Sequence, residues 1–151
     1  IARQVIRRLS KDDRLLIFAQ TKHEISNYGP IFPANVFISD INDFESKLRG
    51  KSNSIIFLDN IFNYNMKIFE SLVWHDFKSV YLTGTPIDVN DDLIVKKICT
   101  LFENIDFFEL KRGMLKDYNE VAYKLTYQSF LKWIDRHFLR YTKFDLILEA
   151  C

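Results

Sequence analysis

Two short apolar runs limit what this chain can fold into. Ser54-Ile55-Ile56-Phe57-Leu58-Asp59-Asn60 and Lys78-Ser79-Val80-Tyr81-Leu82-Thr83-Gly84-Thr85-Pro86 each climb through apolar residues and stop at a polar one. A strand buried on both faces reads this way, because neither face can alternate with polar residues when helices cover both sides of a parallel sheet. In open α/β sheets the ligand site lies beyond the carboxyl ends of such strands. Asp59 and Thr83-Gly84-Thr85 are therefore where chemistry is expected.

The rest of the chain repeats the pattern. Ile1 to Leu9 has apolar residues at helical spacing with arginines on the other side, and Arg14-Leu15-Leu16-Ile17-Phe18-Ala19 reads as a buried strand with Gln20-Thr21-Lys22-His23-Glu24 at its tip. After the breaker cluster at Gly29-Pro30 and Pro33, Asn35 to Ser39 is a second strand ending at Asp40. A short helix over Asn42 to Leu48 closes at Gly50. Beyond the Asp59 strand, Tyr64 to Trp74 and the stretch opened by Asp91-Asp92 read as helices, the paired acids suiting a helix amino end. Ile105 to Leu110 is a further strand. Strand and helix in alternation predict an α/β domain over residues 1–113, three-layered, with a mainly parallel sheet of about five strands. From 114 to 151 there is no Gly or Pro, and Val121, Leu125, Phe130, Leu131, Ile134 and Phe138 suit one or two helices, a C-terminal extension packing on the sheet domain or on a neighbouring one.

Composition excludes several classes. No apolar run approaches the roughly eighteen residues of a membrane span. Cys99 and Cys151 form no CxxC pair, which argues against a disulfide framework or zinc site and for a reducing, intracellular setting. The formal charge of +1 gives no global pull toward nucleic acid, and 4 glycines in the whole chain leave little for a glycine-rich phosphate loop. The first residue is Ile1 and no signal-peptide layout follows, so a piece of a longer chain is expected.

Leu82-Thr83-Gly84-Thr85-Pro86-Ile87 resembles motif III of superfamily 2 helicases and translocases, particularly the branch of Snf2-type remodelling ATPases. In that family the run follows the Walker B strand by about the gap from Asp59 to Thr83, and Ile55 to Asp59 has the Walker B shape. Leu15 to Lys22 is similar to motif Ia, whose loop touches the nucleic-acid backbone. The resemblance covers Arg14 to Phe102 in the right order, and it implies a RecA-like, P-loop NTPase-like sheet. It also implies that Asp59 once held the Mg²⁺ of a nucleotide and that Gln20, Thr21 and Lys22 face phosphates. Two departures matter. Asn60 stands where the family has the Glu that orients the attacking water, and an amide is no base; no GxxxxGK[ST] run occurs, so the phosphate cradle is missing from this chain. The implied function is a helicase-like domain of a larger nucleic-acid-processing protein, used for nucleic-acid binding or assembly with hydrolysis lost. ATP and Mg²⁺ enter only through flanking motifs. An active helicase or translocase whose P-loop lies elsewhere is the alternative; placement as the second RecA-like lobe, through a motif IV-like Arg14 to Glu24, lacks the arginine-rich run that should close it.

Bland readings stand beside these. Asp59 could cap the element after it, and Thr83 to Pro86 could be an ordinary strand-to-helix turn. Lys132, Arg136, Arg140 and Lys143, interleaved with aromatics, suit either base stacking with phosphate contact or an apolar stripe with solvated cations. His23, His75 and His137 have no metal-ligand spacing, so no metal site is expected, and Cys99 falls on an apolar helix face. A non-catalytic Rossmann-like or receiver-like interaction module also fits five strands with acids at Asp40 and Asp59, although a receiver wants acids where Gln20-Thr21 stand.

Overall fold

The computed structural model describes residues 2–20, 33–51, 53–102, 105–110, 123–125, 127–137 and 144–149. Its order is α1 (Ala2–Arg7), β1 (Leu15–Ala19), β2 (Val36–Asp40), a 3-10 turn (Ile41–Asp43) running into α2 (Phe44–Leu48), β3 (Ile55–Leu58), a second 3-10 turn (Ile61–Asn63), α3 (Met66–Trp74), β4 (Ser79–Gly84), α4 (Val89–Leu101), β5 (Ile105–Leu110), β6 (Tyr123–Leu125), α5 (Tyr127–His137) and β7 (Phe144–Glu149). The described strands form one all-parallel seven-stranded sheet in the order β2-β1-β3-β4-β7-β5-β6.

Side chains of a strand alternate between faces, so each buried strand feeds two cores. One contains Leu16, Phe18, Ile56, Leu58, Val80 and Leu82 with Phe44 of α2, Phe69 and Leu72 of α3, and Val95 and Ile98 of α4. The other joins Leu15, Ile17, Ile55, Phe57, Tyr81 and Ile147 to Ala2 and Val5 of α1 and Phe130 and Ile134 of α5. Helices on both faces of a parallel sheet make three layers, as the unbroken apolar runs of β1 and β3 predict, and every residue of both strands is buried. No described helix is long and apolar enough to cross a membrane.

Local chemistry fixes the element ends. Asp88 N-caps α4 by accepting the Asp91 amide at 2.9 Å, while the Asp91 carboxylate reaches back to the Ile87 amide at 2.9 Å, a reciprocal arrangement of the capping-box kind. Asn65 caps α3 through the Lys67 amide, and Gly50 takes the positive φ (68°) that ends the segment after α2.

The C-terminal stretch differs from expectation. It was expected to be helical and outside a sheet of about five strands; α5 is a helix, but β6 and β7 are strands, and β7 lies between β4 and β5 near the middle of the sheet. The sheet thus runs across residue 113. The signal was masked because Phe144-Asp145-Leu146-Ile147-Leu148 carries an acid inside its apolar run. Such a run has no Gly or Pro to punctuate it, and periodicity alone does not separate a short buried strand from a helix.

Candidate functional site at the carboxyl ends of β1, β3 and β4

The chain leaves β1 for β2 on one side and later returns to β3 on the other, so the connections reverse direction between β1 and β3. A crevice at the carboxyl ends of the strands is favoured at such a reversal. Register aligns Phe18 with Leu58 and Leu58 with Leu82, which brings Ala19, Asp59 and Thr83 level at that edge, with Asp40 opposite Ala19 on β2. Asp59 and the Thr-Gly-Thr run therefore stand side by side, as the sequence predicts. The Thr83 hydroxyl is within hydrogen-bonding distance of Asp59 Oδ1 (3.3 Å) and of the Leu58 carbonyl (3.4 Å). Thr83 is buried and Asp59 half-buried, so one carboxylate oxygen is held by a strand while the group keeps an open side.

Two aromatic residues that the sequence did not single out shape this edge. Tyr64, 7% exposed, has its hydroxyl close to the Asp59 carbonyl and 3.2 Å from the Phe18 carbonyl, bridging the tips of β1 and β3. The Asp59 amide donates to the same Phe18 carbonyl at 3.1 Å, which prolongs the β1–β3 ladder by one residue. Asn60 then turns the chain at a positive φ of 53°, a conformation that Asn tolerates better than most side chains. That turn delivers Ile61 and Phe62 onto Gly84: a Cβ built on Gly84 would lie 2.7 and 2.9 Å from two Phe62 ring carbons. The glycine of the Leu82 to Ile87 run is thus explained by close approach of an aromatic ring. A polar-aromatic cluster just past a strand tip, Asn60 to Asn65, was the available sequence signal.

Other predicted residues are placed as follows. Gln20 is half-buried at the end of β1, whereas Thr21, Lys22 and Arg140, with His23 and Lys143, lie outside the described residues. Lys132 and Arg136 are exposed on α5, in the layer opposite α3 and α4, so the structure does not gather them into the Asp59–Thr83 edge. Asp40 caps its own 3-10 turn through the Asn42 amide at 2.8 Å. His75 lies tilted against the Phe77 ring and 3.9 Å from Glu45, a packing role, and Cys99 packs partly buried against the core. An open groove of about 510 Å³ between α3 and α4 is lined by Met66, Leu93 and Leu101 with Lys96 and Lys97.

The chemistry of this edge is limited. Asp59 is a carboxylate of the kind that holds Mg²⁺ through water, but its neighbour Asn60 cannot accept a proton, and no group of three or more potential metal ligands occurs among the described residues. Among the described residues, the donors at this edge do not make up a site for a Mg²⁺–nucleotide. No protein-family model, curated protein or solved structure matches the chain. The helicase resemblance therefore rests on the residues themselves.

Proposed function

We propose that this chain is a RecA-like, helicase-related domain that serves a larger nucleic-acid-processing protein in binding or assembly and does not hydrolyse ATP. The observation that carries the reading is the 3.3 Å contact between Thr83 and Asp59 at the tips of adjacent parallel strands. These are the two runs that resemble motif III and Walker B, and the helicase reading requires their tips to meet, a requirement that the doubly wound module below also satisfies. Loss of hydrolysis is supported by Asn60 and by the lack of a GxxxxGK[ST] run in this chain. Nucleic acid would be held by cations and stacking aromatics, for which Lys132, Arg136 and the neighbouring α5 residues are the candidates.

The test is a pair of titrations on the intact chain. Fluorescent ATP with Mg²⁺ is expected to bind no tighter than millimolar, and micromolar binding refutes the loss. Labelled single-stranded DNA and RNA are expected to bind at low salt and to weaken as salt rises, because phosphate contacts release counterions. Lys132→Glu combined with Arg136→Glu should weaken that binding at least several-fold; unchanged affinity removes α5 from the interface, and no binding by the native chain removes nucleic acid from the function.

A second reading, a non-catalytic doubly wound interaction module, is favoured by the run β2-β1-β3-β4, which matches the start of the receiver-like order, and by the Tyr64 hydroxyl filling the junction between the tips of β1 and β3. It is the reading left standing if both titrations are negative.

A further inference from the structure

On the face covered by α1 and α5, polar side chains stand level across three neighbouring strands. Tyr81 of β4 is in register with Asp145 of β7, and Asp145 with Asp106 of β5. Residues paired this way in a parallel sheet point to the same side, and Tyr81 and Ile147 belong to the core under α1 and α5, so Asp145 enters that layer too. Asp145 is 3% exposed, and its Oδ1 is buried with no hydrogen-bond partner. A buried polar atom without a partner is rare and costly. Burial, reinforced by the charge of Asp106, holds the Asp145 carboxyl well above the usual aspartate range. Burial and Asp145 likewise push the Tyr81 phenol up.

The position of this acid is what gives it leverage. β7 comes last in the chain yet is the only partner that joins β5 to the β2-β1-β3-β4 block among the described strands, through registers from Val80↔Phe144 to Gly84↔Leu148 on one side and from Ile105↔Phe144 to Leu110↔Glu149 on the other. Anything that unseats β7 also detaches β5 and β6. We propose that Asp145 is a proton latch: β7 seats in the sheet with Asp145 as the neutral acid, and loss of that proton releases β7 together with the β5–β6 edge. The groups that face it are Asp106 from β5 and Tyr81 from β4. Arg8 of α1 acts on Tyr81 and is engaged with Asp135 of α5 at 2.6 Å, and Asp13, before β1, is paired with Lys78. Arg3 and Arg7 of α1 and Lys132 and Arg136 of α5 are exposed.

A group whose folded pKa is raised stabilises fully below its unfolded value and less as pH climbs through the folded value, at up to tenfold in the folding constant per pH unit. Urea unfolding of the intact chain across pH should show that fall, and Asp145→Asn, which keeps the shape but carries no proton to lose, should abolish it. Asp106→Asn removes the neighbouring charge and should make the fall smaller and end it at a lower pH, which keeps the idea testable if the Asp145 variant does not fold. Hydrogen exchange at 105–110 and 144–149 should accelerate with pH beyond the intrinsic rise in the native chain only. The latch is overturned if Asp145→Asn retains the native slope, or if Asp106→Asn leaves the profile unmoved.

Discussion

Replacing Gly84 with Ala separates a packing glycine from a ligand-binding one. The added Cβ would sit 2.7 Å from Phe62 Cε2, 2.9 Å from Cδ2 and 3.5 Å from Ile61 Cγ1. Ordinary carbon contacts begin near 3.5 Å, so the ring must retreat by about 0.8 Å. It has little room to do so, since Phe62 is 8% exposed and its neighbour Ile61 is fully buried in the same core. Overpacking of this kind costs about 1–3 kcal/mol, which for a chain of this size lowers the melting temperature by roughly 2–12 °C. The assay is urea and thermal unfolding followed by circular dichroism in a double-mutant cycle with Phe62→Ala. That second variant is costly alone, by about 3–5 kcal/mol, but it empties the space the new methyl needs. Gly84→Ala should then be close to neutral in the Phe62→Ala background, a coupling of about 1–3 kcal/mol. If Gly84→Ala is tolerated in the native chain, or costs as much without the ring, Phe62 is not the reason for the glycine and the packing account of this turn is wrong.

Removing the Tyr64 hydroxyl by Tyr64→Phe should cost about 0.5–1.5 kcal/mol in urea unfolding, since the Phe18 carbonyl keeps the Asp59 amide while the Asp59 carbonyl loses its side-chain donor; no change would mean the bridge contributes nothing. Asp13 behaves oppositely to Asp145. Burial raises its carboxyl, but the Lys78 ammonium at 2.5 Å and the Ser10 amide at 2.9 Å outweigh burial and hold it below the usual aspartate value, so its stabilisation is present above that value and lost as pH falls through the folded one. Lys78→Met should therefore destabilise the chain near neutral pH, with the gap to the native protein closing in acid; a gap constant across pH would refute this ion pair as its source.

Much of the framework was legible before any coordinates. The tips of β1, β3 and β4 could be placed because an unbroken apolar run can only be buried on both faces, and the run must end where a polar residue meets solvent. Gly50 as the end of the segment after α2, and acids at the start of α4, follow from backbone groups that need local partners. What was not legible depended on residues distant in sequence. Nothing near Gly84 announces that Phe62 would press on it, and the reach of the Tyr64 hydroxyl to the Phe18 carbonyl exists only once β1 and β3 are paired.

Period, caps and turn residues act over a few positions, so the chain's own order of residues determined the strands and helices up to β5, the helices that cover both sides of the sheet, and the meeting of Asp59 with Thr83 on neighbouring strands. Only the tertiary structure decided where β7 goes. Its run was readable as helix or strand, and inserting it between β4 and β5 depends on the pairing partners left open there, including a place where a buried acid can sit beside Asp106 and Tyr81. Hydrogen-bond pairing and desolvation at that distance are properties of the assembled sheet, and no local pattern encodes them.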